Sequence, residues 1–290
     1  MRTFSFVTVD VFTDRRFGGN PLAVFPDADG LSDTEMQSLA AEFNLSETTF
    51  VLPPADPANT ARVRIFNRTS EMPFAGHPNV GTGWVLAGLG RARDGALKFE
   101  EIAGLVEVKL EGDAVTIAAP QPLSLGPEMP TGLLAGCVGL APADVVVSAH
   151  KPVMASVGNS FVVAEVTPDA LTRAAPDLAR FREAVTSYSA LGARRLPLYL
   201  YAHDGTRLRA RMFSPLSGTV EDAATGSAAT PLAALLLSLT REQEQRYDIV
   251  QGVEMGRPSL LRASAHRAAD GIHASVGGGC VPVLKGEVSL

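Results

Sequence analysis

The sequence predicts an α+β chain made of two related halves, each setting strands around one apolar helix. Two observations carry this expectation. An alternating run, Ala61–Phe66, leads through a Gly/Pro-rich loop into an apolar run that ends at Gly88, and the same succession returns from Leu208 to Leu239. Upstream of each lies the pattern Gly-Asn-(Pro/Ser)-apolar-apolar-Val, at Gly19–Val24 and again at Gly158–Val163. Arg64-Ile-Phe-Asn67 and Arg211-Met-Phe-Ser214 hold matching places in the two repeats. Two such halves predict a site in the cleft between them, with a helix N-terminus from each pointing in.

In chain order, Phe4–Val11 reads as a strand, Phe17–Pro21 as a turn and Leu22–Phe25 as a second short strand. Ser32 with Glu35 forms a capping-box pattern that starts a helix through Phe43, stopped at Asn44. Thr48–Leu52 is a strand and Pro53–Pro57 a loop. In the stretch Glu71–Thr82, Pro78 suits a first helical turn, so His77 falls at a helix N-terminus beside free N–H groups and the positive end of the dipole. Lys98–Phe99, Gly104–Leu110 and Ala114–Ile117 read as strands joined by polar turns. Residues 120–130 carry four prolines and are the expected linker. The halves are therefore drawn as 1–122 and 123–290, with the last strand allowed to cross back to the first half. Beyond the linker, Asp177–Ala190 is expected to be helical and Leu196–Tyr201 a strand. The loop Glu221–Ala228 then opens the apolar helix through Leu239, and strands follow toward Leu290.

Bulk properties narrow the function. A chain of 290 residues has length for a substantial core. Its net charge of −6 comes without a basic run or aromatic–basic interleaving, which argues against nucleic acid. The longest apolar run is too short to span a bilayer, and no targeting segment is seen, so a cytoplasmic protein without membrane attachment is expected. Cys137 and Cys280 stand far apart without ligand spacing, so neither a disulfide nor a metal site is expected.

Three side chains stand out as candidates for chemistry. Glu47, between Asn44-Leu-Ser46 and an apolar strand, sits where partial burial would tune a carboxyl for proton transfer near neutral pH. Its local sequence by itself favours a plain helix-terminal or loop glutamate. His77 could polarise a carbonyl or relay a proton, or simply cap its own helix. Asp222 reads either as a second acid/base group or as a helix N-cap. No nucleophile elbow, phosphate loop, dinucleotide fingerprint or metal cluster is present. What remains is cofactor-free acid/base chemistry on a small anionic molecule.

Gly19–Val24, Ser46-Glu-Thr-Thr-Phe-Val51, Glu71–Pro78 and Glu221–Ala228, followed by Gln251-Gly252 and Gly256-Arg-Pro-Ser259, together resemble the PhzF-like phenazine-biosynthesis family. The resemblance runs the length of the chain. It implies a diaminopimelate-epimerase-like fold, two similar halves with curled sheets around central helices that begin near Pro78 and Ser227. It also implies a cofactor-independent isomerase acting on a dihydro-hydroxyanthranilate-like carboxylate. In that reading Glu47 acts as base and then acid, His77 and Asp222 support it, and Asn20, Ser46, Gly76, Gly226 and Ser227 bind substrate. A homodimer is usual for the resemblance. The family relatives that racemise amino acids use a cysteine from each half, and neither matching loop has one here. An amino- or imino-acid epimerase, with Glu47 and Asp222 as opposed bases, is the nearest enzymatic alternative. A non-catalytic small-anion-binding protein is the other. Ala223 and Asn79 depart from the family pattern, at positions flanking the proposed site.

Overall fold

In the computed structural model, which describes residues 1–190 and 195–290, the chain divides into two compact units. One comprises Met1–Ala118 with Val276–Leu290, and the other Ala119–Ser275.

In the first unit the elements are β1 (Thr3–Val11), β2 (Asn20–Phe25), α1 (Asp33–Phe43), β3 (Glu47–Leu52), β4 (Ala61–Phe66), β5 (Glu71–Met72), α2 (Gly76–Gly88), β6 (Ala96–Glu101), β7 (Gly104–Glu111) and β8 (Ala114–Ala118). Their boundaries follow local signals. Ser32 and Glu35 form the expected reciprocal cap of α1, and Asn44 closes that helix in the left-handed region at φ 52°. β1 runs antiparallel to β2, β2 parallel to β3, β3 antiparallel to β4, and β4 parallel to β6. β6, β7 and β8 form an antiparallel meander.

The second unit contains β9 (Ser124–Glu128), α3 (Thr131–Cys137), β10 (Val145–Val146), β11 (Val153–Ser156), β12 (Ser160–Val166), α4 (Pro168–Arg173), α5 (Leu178–Ser187), β13 (Leu198–Asp204), β14 (Arg207–Ser214), β15 (Thr219–Asp222), α6 (Gly226–Ser238), β16 (Glu244–Gln251) and β17 (Ser259–Ala268). Strand β18 (Gly271–Gly278) follows, its last three residues falling in the first unit, and β19 (Cys280–Ser289) then pairs antiparallel with β1.

The order of pairings repeats between the units. β11–β12 is antiparallel, β12–β13 parallel, β13–β14 antiparallel, β14–β16 parallel and β16–β17 antiparallel. This is the succession from β1 to β7, so the duplication legible in four short motifs extends through the topology.

Each unit buries one apolar helix against its strands. α2 packs on β1, β2, β3, β7 and β8, and α6 on β11, β12, β16 and β17. Both helices are apolar around most of their circumference, which a helix enclosed by a curled sheet requires. Gly81 shows how tight the fit is: a Cβ there would lie 2.6 Å from the Leu22 side chain and 2.8 Å from that of Val11. A smaller core beneath α1 stacks Phe25 on Phe50 at 4.9 Å and sets Phe66 edge-on to Phe50 at 5.5 Å.

One local expectation is corrected, and two short helices are added to the sequence reading. The proline-rich stretch 120–130 is not a free linker, because Ser124–Glu128 forms β9 and pairs with β11. Its prolines hide the strand because they remove ladder donors, and β9 tolerates the loss with an irregular register. The short helices α3 and α4 carry no long apolar period and are not anticipated by pattern. No helix among the described residues is long and apolar enough to cross a membrane.

Candidate active site

Glu47 is the first residue of β3, so it is neither helix-terminal nor in a loop. The left-handed turn at Asn44 ends α1, and pairing of Leu22 with Glu47 sets the carboxylate at the strand's mouth. Its side chain is 16% exposed, and Oε2 lies 3.5 Å from Nδ1 of His77. His77 is the second residue of α2 and its side chain is only 6% exposed. The N-cap of α2 is Ala75, without a side-chain cap, so His77 does not cap its own helix. Asn20, first residue of β2, brings Nδ2 to 3.4 Å from His77 Nδ1. Ser46 Oγ in turn donates to Asn20 Oδ1 at 3.0 Å. Four residues from three segments of sequence thus form one line, buried at Asn20 and His77 and half-buried at Ser46 and Glu47.

Burial pushes the His77 imidazole down to about 3, against the pull of the Pro21 carbonyl. His77 is therefore neutral at neutral pH, with one ring nitrogen protonated and the other a lone-pair acceptor, and its buried Nε2 meets no hydrogen-bond partner among the described residues. Gly76 opens α2 directly before it, and Pro78 occupies the first turn as the sequence indicates. Asn79, fully buried, turns its amide back so that Nδ2 donates to the Ala75 carbonyl at 3.1 Å.

The remaining sequence candidates, Asp222, Gly226 and Ser227, lie in the second unit. Asp222 ends β15 and is not the N-cap of α6; that position is Thr225. Thr225 Oγ1 donates to Asp222 Oδ2 at 2.7 Å. Gly226 and Ser227 are the first two residues of α6, the places that Gly76 and His77 occupy in α2.

A set of residues without assigned roles at the sequence level fixes this loop. Buried Gln251 donates from Nε2 to the Asp222 carbonyl at 2.9 Å and to Thr225 Oγ1 at 3.0 Å. Its Oε1 accepts from the Thr225 N–H at 3.2 Å and from the Tyr199 hydroxyl at 3.1 Å. Ser259 Oγ donates to the Ala223 carbonyl at 2.9 Å. Gly252 sits in the left-handed region at φ +77°, where a Cβ would come within 2.5 Å of the carbonyl oxygens of Ala223 and Arg257. The motif Gln251-Gly252…Ser259 was visible as part of the family resemblance, and its function is to clamp the Asp222–Thr225 loop. Burial, and then the charge of Asp222, hold the Tyr199 phenol far above the ordinary range.

The arginines of the duplicated strands anchor the strand entering each loop. Arg64 forks onto Glu71 through Nε at 2.7 Å and Nη2 at 2.6 Å, and lies over the Phe66 ring at 5.0 Å. Arg211 does the same with Glu221, at 2.7 and 2.8 Å, over Phe213 at 4.8 Å. The two cysteines lie elsewhere, buried, with thiols pushed up to about 12 by burial. Among the described residues no cluster of three or more His, Cys, Asp or Glu side chains could hold a metal ion.

The family model for phenazine biosynthesis-like proteins (PhzC-PhzF) matches residues 9–286. The trans-2,3-dihydro-3-hydroxyanthranilate isomerase of Pseudomonas chlororaphis is 36% identical, over 98% of this chain and 99% of that protein. A phenazine biosynthesis protein of the PhzF family from Bacillus anthracis has a fold similar at TM-score 0.89, with 24% identity and full coverage of both chains. A hydroxyproline epimerase from Agrobacterium vitis shares the fold at TM-score 0.63 and 13% identity, covering 100% of this chain and 93% of that one. The α+β architecture is thus that of the diaminopimelate-epimerase-like proteins. By sequence over nearly its whole length and by fold, the chain belongs to the PhzC-PhzF family of phenazine biosynthesis-like proteins and is an isomerase of that family.

Proposed function

We propose that this isomerase moves a proton within a small carboxylate-bearing ring compound of the dihydro-hydroxyanthranilate type, with Glu47 as the acid/base group. The single observation that carries the reading is the 3.5 Å approach of Glu47 Oε2 to Nδ1 of a buried, neutral His77. As a carboxylate, Glu47 takes a proton from a ring carbon. The resulting acid then delivers that proton to a second carbon, so the substrate is isomerised with no net proton gained or lost.

His77 fits this cycle as a neutral partner. Asn20 can donate to Nδ1 only if Nδ1 carries no proton, which puts the hydrogen on Nε2. Nδ1 then presents a lone pair toward Glu47, which favours the carboxylic acid formed halfway through the cycle. Ser46 fixes Asn20, and so fixes the tautomer. The free N–H groups at the start of α2 suit a substrate carboxylate or developing negative charge. Asp222, with Gly226 and Ser227, is given a supporting part by the resemblance, and Asp222→Asn tests that part separately. A two-thiol racemase mechanism is disfavoured, since both of the chain's cysteines are buried with raised thiols.

The test is proton NMR in D2O of trans-2,3-dihydro-3-hydroxyanthranilate with the wild type and with Glu47→Gln. Isomerisation by the wild type, reduced at least about 100-fold in a folded Glu47→Gln, is the expected result. Turnover by Glu47→Gln at the wild-type rate removes Glu47 from its role. No change with either folded protein discards this substrate.

A further inference from the structure

Directly behind the first turn of α2 lies a carboxyl that the proposed proton transfer does not use. Glu101 ends β6, and the hairpin turn that follows is tied to the segment before α2 by the Ala103 N–H donating to the Pro73 carbonyl at 3.1 Å. Its neighbour Glu100 takes the opposite side of the strand, accepting from the Ala55 and Asp56 N–H groups and from Asn59. Glu101 instead points inward, with both carboxyl oxygens buried and neither holding a hydrogen bond of ordinary geometry. Asn79 is the side chain that bears on it. The Asn79 amide is itself half satisfied: Nδ2 donates to the Ala75 carbonyl, whereas buried Oδ1 has no partner.

Asn79 Oδ1 and the two Glu101 oxygens are thus three buried acceptor atoms without a partner, on side chains that interact with each other, and a carboxylic O–H is a donor this pair lacks. A buried carboxylate without a charged partner would be costly, whereas the neutral acid buries no charge and offers a donor to Asn79 Oδ1. We propose that Glu101 is kept as the neutral acid, paired with Asn79, and that this pair positions the first turn of α2 and with it His77. The link to the site is short. Asn79 reaches Ala75, the N-cap of α2, and Gly76 and His77 follow immediately.

Burial pushes the Glu101 carboxyl up to about 8, with Asn79 pulling the other way and no charged side chain contributing. The pair therefore has a pH limit. Below that value Glu101 retains its proton; above it, a buried anion forces the Asn79 amide to reorient, and the Ala75 carbonyl loses its side-chain donor. Glu101 is thus a positioning residue whose protonation sets an alkaline limit on the site. Asn79, the departure from the family pattern noted in the sequence, becomes the matching half of a pair.

The inference takes Glu47–His77 as the working site, but its test needs no substrate and so stands apart from the choice of reaction. The backbone amide resonances of Gly76 and His77 are followed by NMR from about pH 6 to about pH 10, in the wild type and in Glu101→Gln. The substituted amide cannot ionise and still offers a donor to Asn79. A shift with a midpoint near 8 in the wild type, absent from the variant, is expected. Resonances that stay flat in the wild type, or that move with the same midpoint in the variant, overturn the proposal. Should Glu101→Gln not fold, carbon-detected titration of the wild-type glutamate carboxyls decides. A Glu101 midpoint near the ordinary 4.5 overturns the pairing, and one near 8 shared with the Gly76 and His77 amides supports it.

Discussion

Removal of the Arg211 side chain should cost far more than removal of its counterpart Arg64, although the two arginines occupy equivalent strands and make the same forked ion pair. The Arg211 side chain is 7% exposed and Glu221 15%, and Nη1 additionally donates to the carbonyls of Leu171 at 2.9 Å and Ala174 at 2.7 Å. Truncation to alanine therefore strands a largely buried carboxylate and two buried carbonyl oxygens. Breaking a buried pair by deleting one partner costs about 3–5 kcal/mol. Arg64 is more open, its side chain 19% exposed against 23% for Glu71, and its other acceptor Asp33 is exposed. Its loss leaves groups that water can reach, so about 1–2 kcal/mol is expected, nearer the range of surface pairs. At about 2–4 °C per kcal/mol for units of this size, Arg211→Ala should lower the unfolding midpoint by about 6–20 °C, and Arg64→Ala by a few degrees. Arg211→Lys keeps the charge but loses the planar fork, and should recover only part of the loss. Scanning calorimetry of the three variants is the assay. An Arg64→Ala protein destabilised as much as Arg211→Ala would refute the reasoning, because the pairs differ chiefly in burial and in the backbone carbonyls that only Arg211 reaches, those of Leu171, Thr172 and Ala174.

His77 gives a pH dependence of definite sign. It titrates near 6.5 unfolded and about 3 folded, so between these values the unfolded chain binds more protons. Its contribution is complete above pH 6.5 and falls as pH drops toward 3, by about 1.4 kcal/mol per pH unit. Urea midpoints of the wild type and His77→Gln at neutral and mildly acid pH should therefore converge on the acid side; a constant difference would contradict a buried neutral imidazole. Gly252→Ala should force the Asp222–Thr225 loop away from Gln251, adding strain of about 1–3 kcal/mol to the clash with two carbonyls. Hydrogen exchange at the Thr225 amide is the readout, and unchanged protection would mean that Gly252 does not hold the loop.

Much of the architecture was legible because its signals are local. The capping box at Ser32 and Glu35, the left-handed stop at Asn44 and the alternation of Ala61–Phe66 each depend on neighbours a few residues away. Duplication was legible for a different reason. Two copies of one fold need the same glycines and forked arginines at the same steps, so Gly19-Asn20 and Arg64 could be matched with Gly158-Asn159 and Arg211 before any strand was paired. The candidate residues Glu47, His77 and Asp222 stood out by residue type and by motif, though local context alone favoured a plainer role for Glu47 and left two readings open for His77 and for Asp222.

The tertiary structure decided what lies next to what. Asn20 meets His77 across 57 residues of sequence, and Ser46 meets Asn20 across 26. Those contacts follow from the register of β2 on β3 and from the helix enclosed by the sheet, which no window of sequence contains. The same holds for Gln251 under the Asp222–Thr225 loop, and for Glu101 behind α2. A glutamine or glutamate in a strand is an ordinary surface residue by composition. It takes on a particular role only when pairing turns it inward among polar groups that water no longer reaches. β9 failed to show for a related reason: its prolines read as breakers, and only β11 alongside makes the segment a strand. Local chemistry thus determined the elements and the repeat, and long-range register determined which side chains share a buried, water-poor place.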